Sequence, residues 1–258
     1  MPYENGSAVS FPHQDGNTGS LHLPSSTSWH DTESDCTILL SQPHTERNLW
    51  EQYLDGAQRS YHKYGVDAAL DWDEIADGGD TAVFFAAIDG TGKVVGGVRA
   101  KEPYSSADQS HAVLEWAGQP GHDTVRKMID DRIPFGLSEM KTAWTSDDPG
   151  RSHSLTTTLA RTAMHTMALL DIQFIMATAA AHVLDRWRSS GGVVVSRIPA
   201  TPYPDQRYRT KIMFWDRRTY AHHAQPNQVA KILDEAAYLA PVTYRLHSVS
   251  ATSAGAGQ

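Results

Sequence analysis

The amino-acid sequence predicts a mixed α/β domain with a mostly antiparallel central sheet, a parallel strand pair in its middle, and flanking helices. The stretch from Thr81 to Ala100 reads as two strands joined by a tight turn, because it is rich in β-branched and aromatic residues and has Asp89-Gly90 and Gly92 at its centre. The order strand, helix, strand from Glu139 to Thr178 requires a crossover connection. That connection makes the two strands parallel neighbours.

Each element is predicted from a local pattern. Apolar residues at helical spacing indicate helices, and short β-branched or aromatic runs bounded by Gly, Pro or Asp indicate strands. In chain order, the predicted elements are an edge strand at Thr37 to Leu40, a helix at Arg47 to Tyr64 preceded by Thr45, the hairpin, a loop region from Glu102 to Gly121, a short helix at Asp123 to Arg132, a strand at Leu137 to Trp144, a helix at Ser152 to Leu170, a strand at Ile172 to Thr178, a helix at His182 to Ser190, strands at Val193 to Ile198 and Thr210 to Trp215, and a helix at Gln228 to Leu239.

The distribution of small and polar residues divides the chain into one domain and two tails. Residues 1–35 are rich in Ser, Gly, Pro, His and Asn, with too few apolar side chains to offset the entropy of ordering, so a disordered tail is predicted there. Residues 36–245 are predicted to form the single domain, for which a hydrophobic content of 40% over 258 residues is sufficient. Residues 246–258 are predicted to be a flexible tail of small residues.

The charge balance and the cysteine content restrict the function classes. With 22 basic against 30 acidic side chains the formal charge is −8, which disfavours nucleic acid and anionic membranes as general partners. The sequence shows neither a signal-peptide pattern nor an apolar run of about 18 residues that could span a bilayer. Cys36 is a lone cysteine and fits a reducing compartment. We therefore expect a cytoplasmic protein without a membrane span.

Three motifs occur in a fixed order around the hairpin. An acidic segment with Glu74, Asp77 and Asp80 precedes it, GKVVGGVR ends it at Arg99, and the next strand has Glu139 near its start. This order resembles the GNAT-type acyl-CoA N-acyltransferase superfamily, and within it the branch of the autoinducer (acyl-homoserine-lactone) synthases and long-chain N-acyl amino acid synthases. The resemblance covers roughly residues 45 to 200 and implies a GNAT-like fold.

The resemblance also implies the reaction and its partners. The protein is expected to move an acyl group from acyl-CoA or acyl carrier protein to a small-molecule amine, with these thioesters as donor substrates and no permanently bound cofactor. A homodimer is left open. Two alternatives stay beside this reading: a catalytically silent GNAT-like module that senses a ligand or binds a protein, and a signal synthase of the acyl-homoserine-lactone type.

Two departures from the family pattern bear on these alternatives. The Glu-x-Ser-Arg motif of the autoinducer synthases reads Glu139-Met140-Lys141-Thr142 here, so that Lys141 stands in place of the arginine, one position earlier. The pyrophosphate loop of ordinary acetyltransferases is replaced by PGRSHSLTTT, Pro149 to Thr158. The first departure favours a different acceptor, and both are compatible with a module that binds without turnover.

The expected catalytic residues are Glu139, Arg99 and Lys141. Glu139 is expected to act through a water as general base for the acceptor ammonium; the alternative is an exposed carboxylate on an edge strand, paired with Lys141 or Arg99. Arg99 is expected to hold a substrate carboxylate or Asp77, or else to end its strand facing solvent. The expected acceptor-binding residues are Asp77, Asp80 and, on the first helix, Arg59; an acidic turn without function is the alternative for the aspartates.

The expected donor-binding residues surround the start of the predicted helix at Ser152. Free backbone N–H groups at a helix start, together with hydroxyl groups and a guanidinium, suit the phosphate of a pantetheine arm, although a simple serine cap explains part of this pattern. Backbone amides near Trp144 are expected to polarise the thioester carbonyl, and the Trp144 ring either lines an acyl tunnel or fills the core. The donor residues are Trp144, Arg151, Ser152, Ser154 and Thr156. The 13 histidines show no metal-ligand spacing, so no metal site is expected.

Overall fold

A computed structural model of the protein describes residues 21–147 and 149–255, and the side chains at 149–152 and 244–255 lie outside that description. The strands are β1 (Thr27–Asp31), β2 (Cys36–Ser41), β3 (Thr81–Ile88), β4 (Val94–Lys101), β5 (Leu137–Thr145), β6 (Phe174–Ala180), β7 (Val193–Val194) and β8 (Thr210–Asp216). The α-helices are α1 (Arg47–Tyr64), α2 (Trp72–Ile75), α3 (His111–Glu115), α4 (His122–Asp130), α5 (Pro149–Leu170), α6 (Leu184–Arg188) and α7 (Pro226–Gly255).

The strands form one eight-stranded sheet in the order β1-β2-β3-β4-β5-β6-β8-β7. All neighbouring strands are antiparallel except β5 and β6, which are parallel and joined through α5. This confirms the predicted fold class, including the hairpin β3-β4 and the position of the parallel pair. Helix α1 also begins and ends where its apolar periodicity predicts.

Helices cover both faces of the sheet, so its central strands are buried on both sides. On one face, Val83 and Phe85 of β3 belong to the same core as Leu159 of α5 and Leu239 of α7. On the other face, Phe84 packs in a second core formed mainly with α1. A third core lies around α3 and α4. None of the helices in the described ranges is long and apolar enough to cross a membrane.

The predicted N-terminal tail is wrong for part of its length. Residues Thr27–Asp31 form β1, which pairs with β2, so β2 is an interior strand instead of the predicted edge strand. Cys36 is buried within β2, where its thiol donates a hydrogen bond to the Ser34 carbonyl at 3.3 Å. Pairing with β2 and the burial of Trp29 supply the stabilisation that the polar composition of this segment does not provide. Residues 1–20 of that prediction lie outside the described part of the chain.

The segment predicted to be a flexible C-terminal tail is helical up to Gly255. Helix α7 continues to Gly255, through the segment predicted to be a flexible tail from residue 246. Alanine is the strongest helix former, so the small residues that suggested flexibility are compatible with helix. The strand predicted at Val193 to Ile198 is reduced to the two residues of β7, and the helix predicted at His182 to Ser190 is reduced to α6 and the 3₁₀ turn before it.

Candidate active site

A cleft opens where the parallel strands β5 and β6 separate. The two strands pair only from Leu137–Phe174 to Glu139–Met176. Beyond this point a cavity of about 590 Å³ lies between the two strands. Its walls include residues 140–146, at and just after the end of β5, and residues 177–180 of β6. Each strand keeps its other neighbour, so the backbone groups that face the cleft lose their ladder partner. The size is typical of a small-molecule site.

A β-bulge in β5 shapes one wall of the cleft. Gly97 pairs with Trp144 and Arg99 pairs with Lys141, so Val98 of β4 faces both Thr142 and Ala143. Thr142 takes the left-handed conformation at φ 53°. The extra residue shifts the side-chain alternation, and Trp144 packs on the α1 core instead of on the face of Met140. Trp144 lines the cleft, and its Nε1 has no hydrogen-bond partner among the described residues.

Glu139 is completely buried one layer behind the cleft wall. Its Oε2 accepts hydrogen bonds from Tyr104 Oη at 2.5 Å, Ser110 Oγ at 3.2 Å and the His111 backbone N–H at 3.2 Å. Its Oε1 has no hydrogen-bond partner in the described ranges and lies 4.0 Å from Lys141 Nζ. Burial, then the charge of Glu139, raise the pKa of Tyr104 well above its usual range, so this phenol remains a hydrogen-bond donor. The alternative of an exposed carboxylate is wrong for Glu139.

Lys141 lines the cleft and is the centre of an acid–base cluster. Its Nζ lies 3.1 Å from Glu115 Oε1 and 3.0 Å from His111 Nδ1. Glu115 Oε1 also lies 2.9 Å from His111 Nδ1 and accepts a hydrogen bond from Thr178 Oγ1 at 2.8 Å. We call Glu115, Lys141, His111, Thr178 and Glu139 the acid–base cluster. Its geometry places one ammonium between two buried carboxyl groups at the cleft.

The charges within this cluster stabilise one another. Burial disfavours the ammonium of Lys141, but Glu115 and Glu139 together raise its pKa well above the usual range. Burial likewise disfavours the Glu115 carboxylate, but the charge of Lys141 and the hydrogen bond with His111 hold its pKa below the usual value. Both groups are therefore charged at neutral pH.

A loop between β7 and β8 covers part of the cleft with aromatic side chains. Tyr203, which precedes a cis proline, lines the cleft and meets the His111 ring edge-on at 5.5 Å between centroids. Burial raises the pKa of Tyr203 to about 12. Tyr208 Oη donates to the carbonyl of Tyr64 at 3.3 Å and so links the loop to the end of α1. The cleft is thus bounded on this side by two phenol rings, of which that of Tyr203 stays neutral.

The other residues predicted for catalysis and acceptor binding do not line this cleft, although Arg99 Nε donates to Thr142 of its wall at 3.3 Å. Arg99 is buried and contacts Asp80 at 2.6 Å, whereas Asp77 is exposed and accepts a hydrogen bond from the backbone of Gly79. Arg59 is exposed on α1. None of these four residues lines the described cleft. The expectations that Arg99 holds Asp77 or faces solvent are wrong, because Asp80 and Thr81 satisfy its guanidinium inside the protein.

Some of the predicted donor residues line the cleft and others do not. Thr156 and Trp144 line the cleft, and Ser154 is half-buried on α5 without lining it. The side chains of Arg151 and Ser152 lie outside the described residues, although both positions fall in the first turn of α5. The first turn of α5 follows the end of β5 closely, which agrees with the expectation that a helix start lies near the separated strands.

Sequence reasoning missed several residues of the site. Glu115 and His111 fall in a segment predicted to be a loop, and Tyr203 and Thr178 were not singled out. The spacing of His111 and Glu115, four residues apart with apolar residues between, is a helical pair signal that points to α3. Nothing local marks Tyr203, because its place depends on how the loop before β8 crosses the cleft.

Comparison with solved structures identifies several acyltransferases of similar architecture. FeeM, an N-acyl amino acid synthase from uncultured soil microbes, has a TM-score of 0.48 and 13% identity, with 75% of this chain and 98% of that chain covered. BjaI, a CoA-dependent acyl-homoserine lactone synthase, has a TM-score of 0.48 and 17% identity, with coverages of 76% and 87%. An acetyltransferase of the GNAT family from Staphylococcus aureus has a TM-score of 0.44 and 12% identity, with coverages of 70% and 99%. The first two are synthases of the kinds that the sequence motifs resemble, and the third is described as a member of the GNAT family.

Comparison with protein sequences gives closer relatives. No family model matches the chain. The uncharacterized protein Rv1356c of Mycobacterium tuberculosis H37Rv is 52% identical over 238 residues, which cover 92% of this chain and 90% of that protein. The uncharacterized protein Mb1391c of Mycobacterium bovis matches with the same identity and coverage. With this identity over nearly its whole length, the chain belongs to the same protein family as these mycobacterial proteins.

Proposed function

We propose that the protein is an N-acyltransferase that moves an acyl group from a thioester, acyl-CoA or acyl carrier protein, to an amine. The observation that carries this proposal is the cleft between β5 and β6, which has unpaired strand edges along its walls and the acid–base cluster beside it. Unpaired strand edges suit an extended ligand with amide groups, as a pantetheine arm has, and the cluster suits the proton transfers of acyl transfer.

The cleft offers separate surfaces for the parts of the donor. Leu159, Val183 and Trp187 provide an apolar wall on the α5 and α6 side, which suits an acyl chain. Arg186 also lines the cleft, and its side chain has no ion-pair partner among the described residues. We assign Arg186 and the first turn of α5 to the donor phosphates, because a free guanidinium and a helix N-terminus both favour phosphate groups.

The reaction needs no covalent enzyme intermediate. The acceptor ammonium gives one proton to the acid–base cluster, and its nitrogen then attacks the thioester carbonyl carbon. The C–S bond breaks, the second proton leaves the nitrogen and goes to the leaving thiolate, and the cluster returns the first proton to solvent. Backbone amides near Trp144, where β5 has separated from β6 and lines the cleft, are assigned to the developing oxyanion. The cleft itself supplies the alignment of amine and thioester.

Glu139 is proposed to accept the amine proton indirectly. It does not line the cleft, so a direct contact with the acceptor is not part of the proposal. Lys141 stands between, with Nζ at 4.0 Å from the unpartnered Oε1 of Glu139. In this relay Lys141 first gives a proton to Glu139, and its neutral amine then takes a proton from the acceptor ammonium, so that Lys141 is an ammonium again at the end of the transfer. The three hydrogen bonds to Oε2 hold the carboxyl group in place for this transfer.

The test is thiol release from acyl-CoA thioesters of two to sixteen carbons, and from matched acyl carrier proteins, in the presence of pooled amines. Release that depends on the acceptor is expected, and Glu139→Gln is expected to reduce it about 100-fold or more, the usual loss with a general base. Glu51→Gln, on an exposed face of α1, is the control. Circular dichroism establishes that each variant is folded. Donor binding without release from any thioester would contradict the enzyme and favour the binding module.

A further inference from the structure

The acid–base cluster holds two buried carboxyl groups beside two basic groups. Glu115 and Glu139 contribute the carboxyl groups, with side chains that are 1% and 0% exposed, and Lys141 and His111 contribute an ammonium and an imidazole. One oxygen of each carboxyl group, Oε2 of Glu115 and Oε1 of Glu139, is buried without a hydrogen-bond partner in the described part of the chain. A buried carboxyl oxygen without a partner is costly, so a cation that donates a hydrogen bond to one of these oxygens is favoured here.

The cleft beside the cluster is suited to such a cation. Tyr61, Tyr203 and Tyr208 line it together with Glu115. The face of a phenol ring attracts an ammonium group, and the attraction is stronger where water is excluded. Because burial raises the pKa of both Tyr61 and Tyr203, these rings present neutral faces at any ordinary pH. Carboxyl oxygen and aromatic rings together recognise an organic ammonium.

The same wall is unfavourable for a carboxylate. The ammonium of Lys141 is already paired with Glu115 at 3.1 Å, and the guanidinium of Arg99, which does not line the cleft, is paired with Asp80 at 2.6 Å. Arg186, the remaining guanidinium of the described lining, lies on α6 and is assigned above to the donor. Among the described lining residues, a carboxylate beside the reacting amine would therefore meet Glu115 and phenol rings, with Lys141 already paired and Arg186 on the donor side.

We propose that the acceptor is a primary amine without a carboxylate next to its amino group, held as its ammonium by Glu115 and Tyr203 before transfer. This inference rests on the proposed acyltransferase function. The bound ammonium must lose one proton before its nitrogen attacks, and the cluster that holds it is also the proposed destination of that proton. A decarboxylated amino acid or a polyamine belongs to this substrate class, and a free amino acid does not.

The experiment compares matched acceptors that differ only by the carboxylate. Thiol release is measured with saturating acyl-CoA and the pairs phenethylamine and phenylalanine, cadaverine and lysine, and agmatine and arginine. Each amine is expected to have a kcat/KM at least about ten-fold above its amino acid, which corresponds to about 1.4 kcal/mol. Glu115→Gln is expected to remove most of this preference, and Glu51→Gln to leave it unchanged. Amino acids that react as well as the amines, or better, would overturn the proposal.

Equilibrium binding separates this inference from the acyltransferase function. Calorimetric titration of the full chain with phenethylamine and with phenylalanine needs no turnover. If no thioester is cleaved, tighter binding of the amine, lost in Glu115→Gln, still supports the cation site, whereas equal binding of the two compounds overturns it. Should Glu115→Gln fail to fold, the comparison of matched ligands with the unaltered protein decides alone.

Discussion

Asp80 Oδ1 lies 2.6 Å from Arg99 Nη1 and ties the start of β3 to the end of β4. The other oxygen of Asp80 lies 3.1 Å from Lys101 Nζ, which also contacts Glu74 at 2.8 Å. Arg99 and Lys101 are buried, and these acids are the partners that keep the two cations stable there. The acidic segment before the hairpin therefore includes a structural clamp, although its residues resemble a family motif that suggests substrate binding.

We predict that Asp80→Ala destabilises the protein by about 3 kcal/mol, because it leaves buried cations without their acid. Asp77→Ala is the matched control three residues away: its side chain is exposed and contacts only the turn backbone, so a loss below about 1 kcal/mol is expected. Urea unfolding followed by circular dichroism measures both. Equal losses in the two variants would contradict the assignment of the clamp to Asp80.

A second prediction concerns Gly56 of α1, which lies directly against the Trp144 ring. A Cβ atom at position 56 would overlap the indole carbons Cη2 and Cζ2. Gly56→Ala must therefore push Trp144 toward the cleft or move α1, at a cost of about 1–3 kcal/mol despite the better helix propensity of alanine. Because Trp144 lines the cleft, donor binding is expected to weaken as well.

The control for this variant is Gly90→Ala in the hairpin turn, where a Cβ would meet nothing within 4 Å. Its stability and donor affinity are expected to remain close to those of the unaltered protein. The shift of Trp144 is measured directly by tryptophan fluorescence or by a crystal structure of Gly56→Ala. A variant as stable as the Gly90 control, with unchanged donor affinity, would show that the close packing of Gly56 on Trp144 is not needed.

The local patterns in the sequence predict the elements whose stability is mostly local. The apolar stripe of α1, the turn residues of the β3-β4 hairpin and the β5-α5-β6 crossover each occupy one continuous stretch. Strand β1 is different, because its five residues TSWHD carry no alternating pattern strong enough to predict a strand. Its order depends on β2 and on Asp31, which bonds to Arg161 from α5 at 2.6 Å. That contact joins residues far apart in the chain.

The site residues likewise divide into those that a local stretch of sequence can predict and those that depend on tertiary folding. Glu139 and Lys141 were predicted from the resemblance of their strand to the family motif, and the structure places the two side chains 4.0 Å apart. Glu115 and Tyr203 join them only through tertiary folding, since α3 and the loop before β8 come from distant parts of the chain. The face of Trp144 was not predictable either, because simple alternation along β5 fails at the bulge where Thr142 has positive φ.

The last prediction concerns a buried charge network between β1, α5 and α7. Arg161 contacts Asp31 at 2.6 Å and Glu235 at 2.7 Å, and Glu235 also lies 2.8 Å from His165. Burial raises the pKa of both carboxyl groups, but hydrogen bonds from Ser34 to Asp31 and from His165 to Glu235, together with Arg161, hold both values below the usual range. This stabilisation is present above the pKa of the unfolded carboxyl groups, about 4, and is lost as the pH falls through the folded values.

We therefore expect stability to be nearly constant from pH 7 to 5 as far as these groups determine it, and then to fall in acid by up to about 1.4 kcal/mol per pH unit for each carboxyl group. Glu235→Gln is expected to be less stable at pH 7. Its free energy of unfolding is expected to fall less steeply in acid, by the contribution of about one proton, because residue 235 no longer titrates. Asp234→Asn, at the exposed neighbouring position, is expected to keep the full slope. The free energy of unfolding in urea at pH 7, 5, 4 and 3 measures all three proteins. An unchanged acid slope in Glu235→Gln would mean that Glu235 takes up its proton at the same pH in the folded and unfolded chain, so that its contacts with Arg161 and His165 contribute nothing to acid sensitivity.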